Sequence, residues 1–193
     1  MLLCKLSEFD VDTLSVSNTK NATYLQSDKH AFELQTDWMT LGKYPLPSKR
    51  YVTDDAKSMN LTIPISKDDN YYRVLSAFDD NLSKLSTSQY KKYHSLIYER
   101  DNTYYLKFKV YLNTGLFDKD KNRISITSLF DFYRYLKEDN IIKLVFSFSK
   151  LWQMGPSYGF SLSAKRILLK NEIKEVPENK IEFLTIKLYN MFI

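Results

Sequence analysis

One cysteine in 193 residues, Cys4, leaves no partner for an internal disulfide and no thiolate set for a zinc site. A reducing, intracellular setting is the expectation that follows. Glycine is nearly as scarce. With four in the chain, there is little material for a phosphate-cradling loop or a dinucleotide fingerprint, and neither motif occurs. The two histidines, His30 and His94, stand far apart, and no Ser/His/Asp or Cys/His arrangement surrounds them. Long apolar runs are also missing. The opening MLLCKL is too short for a signal core, and nothing approaches the ~20 apolar residues of a membrane span. These gaps give no support to an enzyme, a cofactor or a membrane partner.

What the chain has in quantity is aromatic residues, 15 Tyr and 12 Phe, within a 44% hydrophobic and 26% charged composition typical of a folded soluble protein. Tyrosine in that number favours β-structure and surfaces that stack or hydrogen-bond. Lys, Asn, Ile and Tyr are abundant together, a bias that an AT-rich genome also produces. Cations outnumber acids 28 to 23, so the net charge is +5 and the pI about 9.0. A polyanionic partner is compatible with that balance. The sequons at Asn21, Asn60 and Asn81 are read as chance matches in an intracellular protein.

Along the chain, residues 1–20 are weakly patterned, and strands are expected at ATYLQ, HAFELQT and MNLTIPIS. Pro45 and Pro47 forbid a regular ladder between the last two. That stretch is an extended loop carrying Trp38, Lys43, Tyr44, Lys49, Arg50 and Tyr51. Pro64 marks an edge or a bulge. From Asp69 to Leu85 the apolar spacing becomes helical (Tyr71, Val74, Leu75, Phe78, Leu82), with Asp68 or Asp69 near the N-cap. SLIYER and YYLKFKVYLN read as strands turning at Asp101-Asn102, and SLFDFYRYLKED as a second helix capped by Ser128. A hairpin over KLVFSFSKLWQMGPSYGFSLSAKRILL turns at Met154-Gly155-Pro156. Roughly seven strands with two helices between them predict a mainly β fold with inserted helices, an OB-like antiparallel barrel. Three regions follow: an N-terminal extension (1–23), the OB-like domain (24–170) and a C-terminal extension (171–193).

Two segments carry the chemistry. In YYLKFKVYL one face holds Leu106, Phe108, Val110 and Leu112, and the other holds Tyr105, Lys107, Lys109 and Tyr111 at spacings of about 7 Å. Bases can stack on such tyrosines while the lysines meet phosphates. In the hairpin, Phe146, Phe148 and Phe160 are assigned to the core. Lys150, Trp152 and Tyr158 are expected to emerge near the turn, beside a Ser161-Ser163-Lys165 row and Arg166. The carboxylate pairs Asp54-Asp55, Asp68-Asp69 and Asp79-Asp80 raise a metal-dependent nuclease as a third reading. They fall where turns, helix starts and solvated helix faces place acids anyway. The second reading is a viral structural or protein-interaction module using the same aromatic surface.

The series LQTDWMTLGKYPLP, MNLTIPIS…YYRVLSAFDDNL, YYLKFKVYL and LVFSFSKLWQMGPSYGFSLSAKRILL resembles, in that order, the single-stranded DNA-binding proteins of large eukaryotic DNA viruses. The resemblance spans about residues 24 to 170. It implies binding of single-stranded DNA on an OB-like surface during replication, recombination or repair, at a viral replication site in cytoplasm or nucleus. By position it implies contacts from Trp38, Lys107, Lys109, Trp152, Tyr158 and Lys165. RNA is not separated from DNA, since no reader of a 2′-hydroxyl is identifiable. Homo-oligomers and replication-protein partners stay open. The chain departs from the family in ending on IKLYNMFI rather than a long acidic tail, so this segment is expected to close the domain or add a strand to a neighbouring subunit.

Overall fold

The structure, a computed structural model, describes residues 2–18, 22–84 and 92–170; the C-terminal extension expected over 171–193 lies outside the described residues. The strands in chain order are β1 (Leu2–Lys5), β2 (Leu14–Asn18), β3 (Thr23–Ser27), β4 (Phe32–Gln35), β5 (Met39–Thr40) and β6 (Ser58–Ile65). Helix α1 (Asn70–Ser83) precedes β7 (Lys92–His94), β8 (Ile97–Arg100), β9 (Thr103–Tyr111), β10 (Gly115–Phe117) and β11 (Arg123–Ile124). The short α2 (Phe132–Tyr135) leads into β12 (Ile141–Phe148), β13 (Trp152–Met154), β14 (Ser157–Gly159) and β15 (Leu162–Leu169).

The main sheet runs β6–β9–β15–β12 and on to β4 and β5. Its pairs are antiparallel except β9–β15, which run parallel through Leu162↔Phe108 and Ser163↔Lys109. Parallel pairs β1–β4 and β10–β15 flank this path. The two ends of the path meet where the Thr62 amide donates to the Pro45 carbonyl at 2.8 Å. Pro64, two residues on and directed to the same side, has no N–H to continue the seam. Its ring instead packs on Gly42, where an added Cβ would lie 2.9 Å from Pro64 Cγ. This strand order with one parallel internal pair is the OB-like arrangement expected from the sequence.

Alternation explains most of the strands. Leu61, Ile63, Leu106, Phe108, Val110, Leu144, Phe146 and Ile167 are fully buried. Asp101 and Asn102, both at positive φ (52° and 58°), form the two-residue turn between β8 and β9, a conformation these side chains tolerate. Helix α1 seats Leu75, Phe78 and Leu82 in the core, and Phe78 stacks on Phe9 and Phe148 at 5.2 and 4.9 Å. Asp69 does not cap it by side chain; its Oδ2 accepts from the Ser66 amide at 2.7 Å.

Three expectations need correction. The second helix is one turn of 3₁₀ (Leu129–Asp131) followed by the four residues of α2, because a capping box of Ser128 and Asp131 starts it and Leu136 leaves helical geometry at ψ 80°. Leu112 is half exposed instead of buried, since β9 ends at Tyr111. Before residue 20, where patterning is weak, β1 pairs with β4, β2 with β3, and Leu6 is buried.

Candidate nucleic-acid interface

The outward face of β9 meets two different neighbours along one edge. β8 pairs with it up to Leu106, and β15 takes over from Phe108, so Lys107 stands at the changeover. The segments leading into β8 and β15 arrive together as a parallel pair, β7 with β14, and then diverge. The fork between them is a groove of ≈ 450 Å³. Its floor is Lys107, Lys109 and Asn60, and its walls include His94, Ser95, Tyr98, Trp152 and Ser161. Trp152 and His94 contact at 5.4 Å between ring centroids, and Lys107 Nζ lies 3.7 Å above the centre of the Tyr98 ring. Tyr98 in turn meets Tyr105, its cross-strand partner, at 5.4 Å.

A second hollow of ≈ 360 Å³ adjoins the first on the same face, with Tyr111, Ser147, Ser149, Ser163 and Lys165 in its lining. The link is a row across four strands, Asn60–Lys109–Ser163–Ser147, set by register. Beyond Ser163 the β12–β15 ladder shifts register: Phe146 pairs with Ala164, and Val145 with Arg166. The unpaired Lys165 is the bulge residue. It lets Lys165 and Arg166 both be exposed while Ala164 and Ile167 remain inside. Thr114 sits at the same level on the facing edge, its Oγ1 donating to the Ala164 carbonyl and accepting from the Tyr111 amide at 3.0 Å each.

Of the residues singled out from sequence, Lys107, Lys109 and Trp152 share the fork, Tyr111 and Lys165 share the adjoining hollow, and Tyr105 supports Tyr98. Lys150 is exposed but lines neither. Trp38 lies elsewhere, with Lys143 Nζ 4.9 Å and Lys170 Nζ 5.7 Å from its ring centre. One assignment is corrected. Tyr158 is 1% exposed and cannot offer a stacking face; its hydroxyl donates to the Ser83 carbonyl at 3.1 Å and its ring packs on Tyr93. Arg166 is half exposed, and its guanidinium pairs with the buried Glu33 carboxylate at 3.0 Å.

Sequence reading missed Asn60, His94, Ser95 and Tyr98. Tyr98 was recoverable, since it occupies the outward phase of the SLIYER strand. The others depend on long-range pairing. Asp79 is also not a solvated acid of a metal pair: it accepts from Tyr93 Oη at 2.7 Å, from the Leu96 amide at 2.9 Å and from the Ser95 hydroxyl. Among the described residues no cluster of three or more His, Cys, Asp or Glu is placed to hold a metal ion.

No protein-family model matches the chain, and no curated protein is similar to it in sequence. Solved structures are similar in fold. A C-terminally truncated single-stranded DNA-binding protein from bacteriophage Enc34 superposes with a TM-score of 0.50 at 10% identity, over 84% of this chain and 98% of that one. The same phage protein in complex with single-stranded DNA gives 0.49 at 10% identity, covering 83% and 97%. Gp2.5, the single-stranded DNA binding protein encoded by bacteriophage T7, gives 0.46 at 10% identity, covering 76% and 95%.

Proposed function

We propose that the protein binds single-stranded DNA with little sequence preference and serves viral DNA replication, recombination or repair as a binding protein without catalysis. The observation that carries this reading is the fork itself, which places two lysines between two aromatic side chains on an open sheet surface. Phosphates would meet Lys107 and Lys109, with Lys165 continuing the path; bases would stack against Tyr98 and Trp152. Every base has a π-face, so such contacts tolerate any sequence, and they require bases that are not already stacked in a duplex. The face of the second and third strands of an OB-like barrel, here β6 and β9, is where that architecture takes oligonucleotides. The protein of the same fold from phage Enc34, named as a single-stranded DNA-binding protein, supports the reading by analogy.

Fluorescence anisotropy with oligo(dT), the matching duplex and oligo(rU) tests it. Binding to oligo(dT) should fall steeply with salt, and Lys107→Ala should reduce the salt slope by about 0.7, the value for one single-strand phosphate contact. Equal affinity for the duplex would remove the stacking mechanism. Absence of binding at low salt would end the proposal.

A further inference from the structure

Tyr98 is one of the two aromatic walls of the fork, yet neither face of its ring stands open. The Lys107 ammonium lies 3.7 Å above the ring centre. This is the shortest cation–ring contact among the described residues; the others fall between 4.7 and 5.7 Å. Tyr105, the cross-strand partner of Tyr98, is 5.4 Å away between ring centroids and tilted by only 32°. Rings so nearly parallel at that distance overlap face on face in part, because edge-to-edge contact in one plane needs more room. They cannot overlap on the side that Lys107 fills. Tyr105 therefore holds one face of Tyr98, and Lys107 caps the other.

The cap is held lightly. Lys107 is exposed, and among the described residues no carboxylate forms an ion pair with it. A lysine ammonium is a compact charge on a flexible four-carbon stem, so it can leave a ring while the backbone stays in place. A cation–π contact at an exposed site is weak, whereas a phosphate offers full negative charge and charge-assisted hydrogen bonds. Lys107 and Tyr98 line the same groove, Lys107 in its floor and Tyr98 in its wall. One strand therefore brings both the anion that can draw the ammonium off and the base that can take its place.

We infer that Lys107 determines specificity at this wall: it caps Tyr98 until a backbone phosphate draws the ammonium away, and only then does a base take the uncovered face. The inference rests on the reading of the fork as a single-stranded DNA site. It adds a coupling, since stacking at Tyr98 becomes conditional on backbone charge and the wall refuses flat ligands that bring none. The test compares oligo(dT) with the same sequence on an uncharged methylphosphonate backbone, each titrated by fluorescence anisotropy. The proteins are the wild type, Lys107→Ala, Lys109→Ala and Tyr98→Ala/Lys107→Ala. Lys107→Ala should have effects of opposite sign on the two oligomers. It should bind the phosphodiester more weakly, having lost a phosphate contact. It should bind the uncharged oligomer about two- to fivefold more tightly, because the base no longer displaces a cation from the ring. That gain should vanish in the double variant, which has no ring to uncover. It should also be missing in Lys109→Ala, since Lys109 covers no ring among the described residues. An uncharged oligomer bound no more tightly by Lys107→Ala than by the wild type, including one bound by neither, would overturn the inference. A gain that survives the loss of Tyr98, or that Lys109→Ala reproduces, would overturn it too. Wild-type protein that fails to bind the phosphodiester at low salt would instead strike the fork reading on which the inference stands.

Discussion

The Asp79 carboxylate accepts a hydrogen bond from the Tyr93 hydroxyl at 2.7 Å, tying helix α1 to the segment that walls the fork. The same carboxylate takes the Leu96 amide at 2.9 Å and the Ser95 hydroxyl, so one side chain holds successive residues of the chain that carries His94 and Tyr98. Charge-assisted bonds of this kind are stronger than neutral ones, and removing the acceptor leaves the donors unpaired. Asp79→Ala should therefore lower stability by roughly 1–3 kcal/mol in urea titration. It should also weaken oligo(dT) binding although Asp79 touches no nucleic acid. Binding unchanged in a destabilised variant would show that the wall does not need this anchor.

Trp152 packs closely against Gly159, and that contact sets its place in the fork. A Cβ at position 159 would come within 2.8 Å of Trp152 Cζ2 and 3.1 Å of the His94 carbonyl oxygen. The backbone atom cannot yield cheaply, so the indole must. Gly159→Ala should weaken oligo(dT) binding about tenfold, the scale of one lost stacking contact. Combined with Trp152→Ala it should add little, because both changes remove the same interaction. Full additivity in that double-mutant cycle would mean that Gly159 acts through something other than Trp152.

The two faces of β9 were legible in YYLKFKVYL because a period of two survives in any half-buried strand. Phe146 and Phe160 followed the same rule into the core. Tyr158 obeys that rule as well, against its expected place beside the turn. Its alternation phase is that of Phe160, Leu162 and Ala164, and the structure buries it with them. Arg166 is a different case. Strict alternation puts it on the inward face with Ala164, and only the bulge at Lys165 turns it outward, toward a carboxylate 133 residues away in sequence. The fork itself could not be read. It arises because β8 and β15 divide one edge of β9, a relationship fixed by pairing between distant segments. Tyr44 and Tyr51 were visible as residues, but their exposure depends on a loop seated through buried Leu41, Leu46 and Val52.

Glu33 is 5% exposed and Arg166 is its ion-pair partner at 3.0 Å. The arginine is half exposed, within reach of a strand running past Lys165, but it is neutralised from beneath. Glu33→Gln should release the guanidinium to a phosphate, raising affinity for oligo(dT) severalfold and increasing the salt slope by about 0.7. Arg166→Ala should instead strand a buried carboxylate and destabilise the fold by roughly 1–3 kcal/mol. Weaker binding by Glu33→Gln would show that the pair orients Arg166 for its contact instead of withholding it.

Two phenols make stability sensitive to alkali. Burial, with the negative charge of Asp37 adding to it, pushes Tyr71 from the ordinary 10.0 to about 12. Burial and the neighbouring Asp79 raise Tyr93 as well. In the unfolded chain both ionise near pH 10, while in the folded protein they keep their protons beyond it. Between these limits the unfolded state binds fewer protons, so stability falls as pH rises. It is fully present below the unfolded value and is lost progressively from about pH 10 through about pH 12. Urea midpoints should be level at pH 8 to about 9.5 and decline above it. Tyr71→Phe and Tyr93→Phe should each make that decline shallower, Tyr93→Phe from a lower starting stability because Asp79 loses a donor. An alkaline slope identical to wild type in both variants would assign the loss to the lysines.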